Sequence, residues 1–195
     1  MSGNVADKES EGRTLSRIGR RAIPLPSGVE VQVEYGGVTV KGPRGTINQT
    51  YHPEVNVRVE DGQVVVERFS ERKFHHSLHG LTRSLIANAI VGVTEGYTKT
   101  LELMGVGYRV QQSGSGIVLN VGYSHPVELQ PLEGTTMEVE GNNRVHVRGI
   151  DKQLVGEMAA RVRKVRPPNA YKEKGIRYRG ELLRYKPGKA AARKA

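Results

Sequence analysis

Apolar and polar residues alternate from Val29 onward. Val29, Val31 and Val33 are separated by Glu30 and Gln32, and a period of two gathers the valines on one face of a strand. Tyr35-Gly36-Gly37 then turns the chain into Val38-Thr39-Val40-Lys41, which predicts a hairpin. A second hairpin is predicted over residues 54–60 and 63–68, joined by Asp61-Gly62, a pair suited to tight turns because both residues tolerate positive φ. After Ser70, a candidate N-cap, the period lengthens. Phe74, Leu78, Leu81, Leu85, Ala89 and Ile90 recur at steps of three and four, predicting a helix with one apolar stripe, ended by Gly92 and Gly96.

The second half repeats this order. Residues 100–110, 116–121, 136–140 and 144–148 read as strands. Asp151 is placed to cap a second helix whose stripe is Leu154, Met158, Val162 and Val165. Pro167-Pro168 stops it, since proline has no amide proton and restricts the residue before it. Leu78-His79-Gly80 and Leu154-Val155-Gly156 stand at matching places in the two helices. The expected fold is α+β: two similar small domains, each an antiparallel-rich sheet covered by one helix, arising by internal duplication. One larger mixed domain is the alternative. The expected organisation is a disordered extension over residues 1–14, an N-terminal domain over 15–97, a C-terminal domain over 98–176 and a basic segment over 177–195.

Composition narrows the chemistry. Of 195 residues, 36% are hydrophobic but only 5% aromatic, with no Trp and two Phe, so the cores must be built from Val, Ile, Leu and Met. Cysteine is absent, which removes disulfides, thiolate metal sites and cysteine nucleophiles together. No apolar run approaches the roughly 18–20 residues of a membrane span. The first fifteen residues include Asp7, Glu9 and Glu11 and no apolar stretch, unlike a secretory signal or a transit peptide.

The net charge of +10 is unevenly spread. Residues 148–195 hold 15 Lys and Arg against four Asp and Glu, a balance of +11, whereas the other 147 residues hold 15 basic and 16 acidic side chains, a balance of −1. Such concentration is the footprint of a polyanion-binding surface; a solvated tail is the alternative.

Motifs for catalysis are sparse. Gly105-Val106-Gly107 lies inside an alternating strand pattern and lacks the strand-to-helix context of a dinucleotide loop, so it reads as bulge or close-packing glycines. Lys41-Gly42-Pro43-Arg44-Gly45 sets two cations in a turn, and a phosphate contact and a plain turn stand equal there. His75 and His79 are four apart with His76 between. That spacing suits a metal, but without a third ligand an exposed helix face or an RNA contact is the expected role. Gly122-Tyr123-Ser124-His125-Pro126 is expected to be a turn, because Ser beside His needs a carboxylate and an oxyanion site to act. Neither a nucleophile with its base nor a metal set emerges, so no enzymatic activity, cofactor or small-molecule substrate is expected.

The C-terminal quarter carries the binding candidates. Arg161, Arg163, Lys164 and Arg166 crowd the end of the second helix, where cations also complement the helix dipole. Tyr171 precedes Lys172, Tyr178 lies between Arg177 and Arg179, and Tyr185 between Arg184 and Lys186, with Lys189 beyond. Aromatic rings among cations suit RNA, since rings stack on bases while cations meet phosphates; Tyr178 and Tyr185 are also candidates for core or strand. A truncation removing residues 166–195 is accordingly expected to weaken RNA binding, and loss of residues 1–14 to do almost nothing.

At these residues the chain resembles a known family. Pro168-Asn169-Ala170-Tyr171-Lys172-Glu173-Lys174-Gly175-Ile176 is similar to the signature of the bacterial large-subunit ribosomal protein L6 family. Ser16-Arg17-Ile18-Gly19 with residues 24–29, Lys41-Gly42-Pro43-Arg44-Gly45, Gly105-Val106-Gly107-Tyr108-Arg109 and Gly122-Tyr123-Ser124-His125-Pro126 follow in the matching order. The resemblance covers about residues 15–190. It implies two similar α+β domains, binding to large-subunit ribosomal RNA mainly through the C-terminal domain near the sarcin-ricin loop and stalk base, and neighbouring ribosomal proteins and translation factors close by in the cytoplasmic ribosome. The binding residues it transfers are Tyr171, Lys172, Lys174 and Gly175. Glu173 departs from the family pattern, which usually has a small residue there, and residues 1–14 extend beyond the usual start.

Overall fold

A computed structural model describes residues 18–186 and Gly188. The expectation for residues 1–14 and the candidate Lys189 lie outside the described residues. The chain divides into two compact units that part between Glu95 and Gly96.

The first unit holds β1 (Ile23–Pro24), β2 (Glu30–Glu34), β3 (Gly37–Gly42), β4 (Gly45–Thr50), β5 (Val55–Glu60), β6 (Gln63–Arg68) and α1 (Lys73–Thr94). Its strands form two antiparallel sheets, ordered β2-β3-β4 and β1-β6-β5. The β5–β6 turn has φ of 48° at Asp61 and 71° at Gly62, the paired positive values of the expected tight hairpin. Helix α1 packs on β3, β4, β5 and β6. Val38, Val40, Val57, Val64 and Val66 from the sheets meet Ile86, Ile90 and Val93 in the core.

The second unit holds β7 (Tyr97–Met104), β8 (Arg109–Ser113), β9 (Gly116–Asn120), β10 (Val127–Leu129), β11 (Thr135–Glu140), β12 (Arg144–Gly149), α2 (Lys152–Val165) and β13 (Gly175–Tyr178). Its sheets are ordered β10-β9-β8 and β11-β12-β7-β13, again antiparallel. Setting β7 against β1, β8–β10 against β2–β4, β11 and β12 against β5 and β6, and α2 against α1 matches every pairing. The fold is thus a duplicated α+β unit. The second copy adds one strand, β13, whose Ile176 is fully buried opposite Leu103.

Several sequence expectations are corrected. The buried stripe of α1 is His75, His79, Thr82, Ile86, Ala89, Ile90 and Val93, while Phe74 and Leu81 are more than half exposed. One residue along a helix is about 100° of rotation, so reading the stripe from Phe74 and Leu81 selects a face turned away from the core. His75 and His79, expected on an exposed face, are buried. Ser70 does not cap α1. The helix starts at Lys73 after Arg72 with no side-chain cap, and the Ser70 hydroxyl instead meets His75 Nδ1 at 2.6 Å. Residues 100–110 are not one strand. Gly105 and Gly107, at φ 139° and 81°, break the chain into β7 and β8, which lie in different sheets. In α2 the buried residues are Val155, Met158, Ala159 and Val162, and Asp151 caps as expected by accepting Gln153 N–H at 2.7 Å.

Candidate nucleic-acid interface

The cations of the second unit divide by their partners. Arg161 Nε donates to Glu157 at 3.1 Å. Arg163 pairs with Glu181 at 2.6 Å and lies over the Tyr178 ring at 5.3 Å. Arg177 reaches Glu102 at 3.3 Å. These three are compensated within the fold. Among the described residues no carboxylate pairs with Lys164, Arg166, Lys172, Lys174, Arg179 or Lys186, and all of these but the half-buried Arg166 are exposed. Their charge is available to a partner.

Three of them, Arg166, Lys172 and Lys174, belong to one loop. It leaves α2 at Arg166 and returns as β13, closed at its base by Ile176 N–H donating to Arg166 O at 2.8 Å and further out by Asn169 N–H donating to Lys174 O at 2.8 Å. At the tip, Asn169 Oδ1 accepts the amides of Tyr171 (2.7 Å) and Lys172 (3.1 Å), a side-chain-built turn. Lys186 N–H donates to Ala170 O at 2.9 Å, bringing the end of the described chain against the loop. Gly175 is required here. Its φ is 138°, and a Cβ would stand 2.5 Å from Pro168 Cα and 2.6 Å from Pro167 O. Tyr171 is 62% exposed, whereas Tyr178 packs against the core and Tyr185 is partly exposed.

This loop faces two others across a cleft of about 730 Å³, lined by Val106 and Tyr108, by Gly122 and Tyr123, and by residues 166–169, Lys172 and Lys174. Tyr123 is fixed by its hydroxyl, which donates to Val165 O at 2.8 Å. The Arg166 guanidinium lies 5.0 Å from the centre of its ring, and the His125 ring stacks on it at 6.4 Å and 19°. Hydrogen bonding to Tyr123, then to Tyr108, holds Arg166 in its protonated form beyond the usual arginine range. Val106, Tyr108, Tyr123 and Asn169 are cleft residues that the sequence reading did not select. Their signal was present, since the first three lie in glycine-bearing motifs, but only folding brings those motifs, one in the β7–β8 turn and one in the β9–β10 connection, to the α2–β13 loop.

In the first unit, Lys41 is exposed on β3. Arg44 is tied to the end of α1, its amide donating to Val93 O at 3.0 Å and its Nε to Thr94 O at 3.2 Å. His75 and His79 are buried, and His76 between them is half-buried. His75 bridges Ser70 (2.6 Å) and Glu54 (2.8 Å), His76 faces Glu71 at 3.2 Å, and His79 Nε2 meets Val66 O at 2.9 Å. A serine, histidine and glutamate are thereby aligned that the sequence reading did not assemble. They join the approach to β5 to the first turn of α1. No group of three potential metal ligands occurs among the described residues, and no helix is long and apolar enough to cross a membrane.

Fold and site together define a duplicated α+β protein whose second copy carries a group of cations without carboxylate partners on and beside its α2–β13 loop. The family model described as "Ribosomal protein L6" matches residues 25–96 and 104–179, once in each unit. Among similar proteins, the large ribosomal subunit protein uL6 of Thermus thermophilus is 56% identical over 180 residues, covering 92% of this chain and 100% of that protein. Those of Halalkalibacterium halodurans and Caldicellulosiruptor bescii are 56% and 55% identical, each covering 90% of this chain and 98% and 97% of their own lengths. The chain belongs to the ribosomal protein L6 family, whose members are structural ribosomal proteins rather than enzymes.

Proposed function

We propose that this protein is a structural constituent of the large ribosomal subunit that binds large-subunit rRNA mainly through its second unit, near the sarcin-ricin loop and stalk base. Family membership supports its place in the cytoplasmic ribosome, beside other large-subunit proteins and within reach of translation factors. The observation that carries the RNA reading is the set of unpaired cations on and beside the α2–β13 loop, Arg166, Lys172 and Lys174, next to exposed Tyr171. Lys164, Arg179 and Lys186 extend that surface, and Gly175 shapes it. Arg161, Arg163 and Arg177 contribute less to phosphate binding in this reading, because each already has a carboxylate, and Arg44 serves the first unit's packing. Lys41 remains a candidate for a secondary contact.

The test is the salt dependence of rRNA binding. Replacing Arg166, Lys172 and Lys174 together by Gln is expected to weaken binding and to flatten the slope of log affinity against log salt by roughly 2–3, at about 0.7–0.9 for each phosphate no longer neutralised. Co-sedimentation with the large subunit at moderate salt should fall in parallel. An unchanged slope would remove this surface from the RNA interface.

A further inference from the structure

We propose that the cleft of the second unit receives a single unpaired RNA base, bounded by Val106 and Tyr123 and met at its edge by Asn169, with its flanking phosphates on Lys172 and Lys174. The inference rests on the RNA-binding reading of this unit and deepens it.

Val106 is the first argument. Val110, Val145, Val147, Val155 and Val162 are buried in the core of this unit, whereas Val106 is 92% exposed between two positive-φ glycines at the lip of a cationic cleft. An aliphatic tip held in water has no packing role in this fold, but it suits contact with the face of a base. Tyr123 is the second. Tyr123 is 44% exposed, its hydroxyl is occupied by Val165 O, the Arg166 guanidinium lies over its ring and His125 stacks beside it. Together they form a fixed wall of guanidinium and aromatic planes, and bases of any kind stack on both.

Asn169 is the third. Its Oδ1 is committed to two backbone amides, which sets the orientation of the side-chain amide and leaves the Nδ2 hydrogens as donors toward a carbonyl or ring nitrogen. The cleft falls within the roughly 300–1,000 Å³ of sites that take small organic groups. A phosphate alone would leave its apolar walls, Val106, Pro167 and Pro168, without a counterpart.

Binding of the full chain to three RNA hairpins with one common stem tests this. One carries a single bulged 2-aminopurine, one an abasic residue at the same position, and one is fully paired. The bulged hairpin is expected to bind roughly ten- to a hundredfold more tightly than the other two, with a change in 2-aminopurine fluorescence. Val106→Ala, which disturbs no packing, should erase most of that preference while leaving the salt slope unchanged. Equal affinity for all three hairpins, with the wild-type salt slope, would overturn the base site while leaving the RNA-binding surface intact. No binding to any hairpin or to large-subunit rRNA would overturn both.

Discussion

Glu173 shows how one residue can work against its surroundings twice. It holds φ at 55°, a left-handed conformation that costs a residue with a Cβ about 1 kcal/mol or more, and it places a carboxylate between Lys172 and Lys174. A glycine there would relieve both. Glu173→Gly is expected to raise the second unit's stability by a few tenths to about 1 kcal/mol, part of the gain being offset by the freer unfolded chain. It should also tighten RNA binding severalfold at low salt. Denaturant melts and low-salt titrations of the two proteins measure these effects. Gly175, two residues on, was legible in the sequence only as part of a motif. The prolines packed against it on the opposite arm of the loop are the reason for it, and that proximity exists only after folding.

Among the elements, those with strict alternation or a turn signal could be read directly: both hairpins of the first unit, β9, β11, β12, and α2 with its Asp151 cap. β4 and β10 escaped because Gly45–Thr50 has one aliphatic residue and Val127–Leu129 is too short to show a period. On α1 the expected stripe matches the buried face at Ala89 and Ile90 but not at Phe74 and Leu81, because the first turns bury His75, His79 and Thr82 instead. His79 stands where α2 has Val155, and it has a consequence for pH. Burial, reinforced by nearby Arg68, lowers its pKa from 6.5. The unfolded chain therefore takes up this proton at higher pH than the folded one, so the first unit's stability is complete above about pH 6.5 and declines as pH falls through that value. His79→Val is expected to flatten the fall in melting temperature between about pH 7.5 and about pH 5.5. A fall as steep as in the parent would assign the effect to other groups.

At the scale of the whole molecule, duplication and charge asymmetry were both legible in the sequence, but the extra strand was not. That changes how the C-terminal region must be tested. A truncation at residue 166 was the natural way to ask whether the basic segment binds RNA, yet it removes β13 and the buried Ile176 along with the cations. A chain ending at residue 165 is expected to lose amide-exchange protection across β7 and α2 while the first unit keeps its own; protection retained in β7 would show β13 to be dispensable. Charge substitutions in the full chain avoid this confusion. The strand also imposes an order in time. Because β13 pairs with β7, its partner about 70 residues earlier in the chain, the first unit can close while the protein is still being made, as domains generally do from the N-terminal side. The second must wait for residue 178. The cationic loop is fastened by the last strand of the described residues, so under the proposed function the nascent chain would present its RNA-binding surface only once that strand has paired.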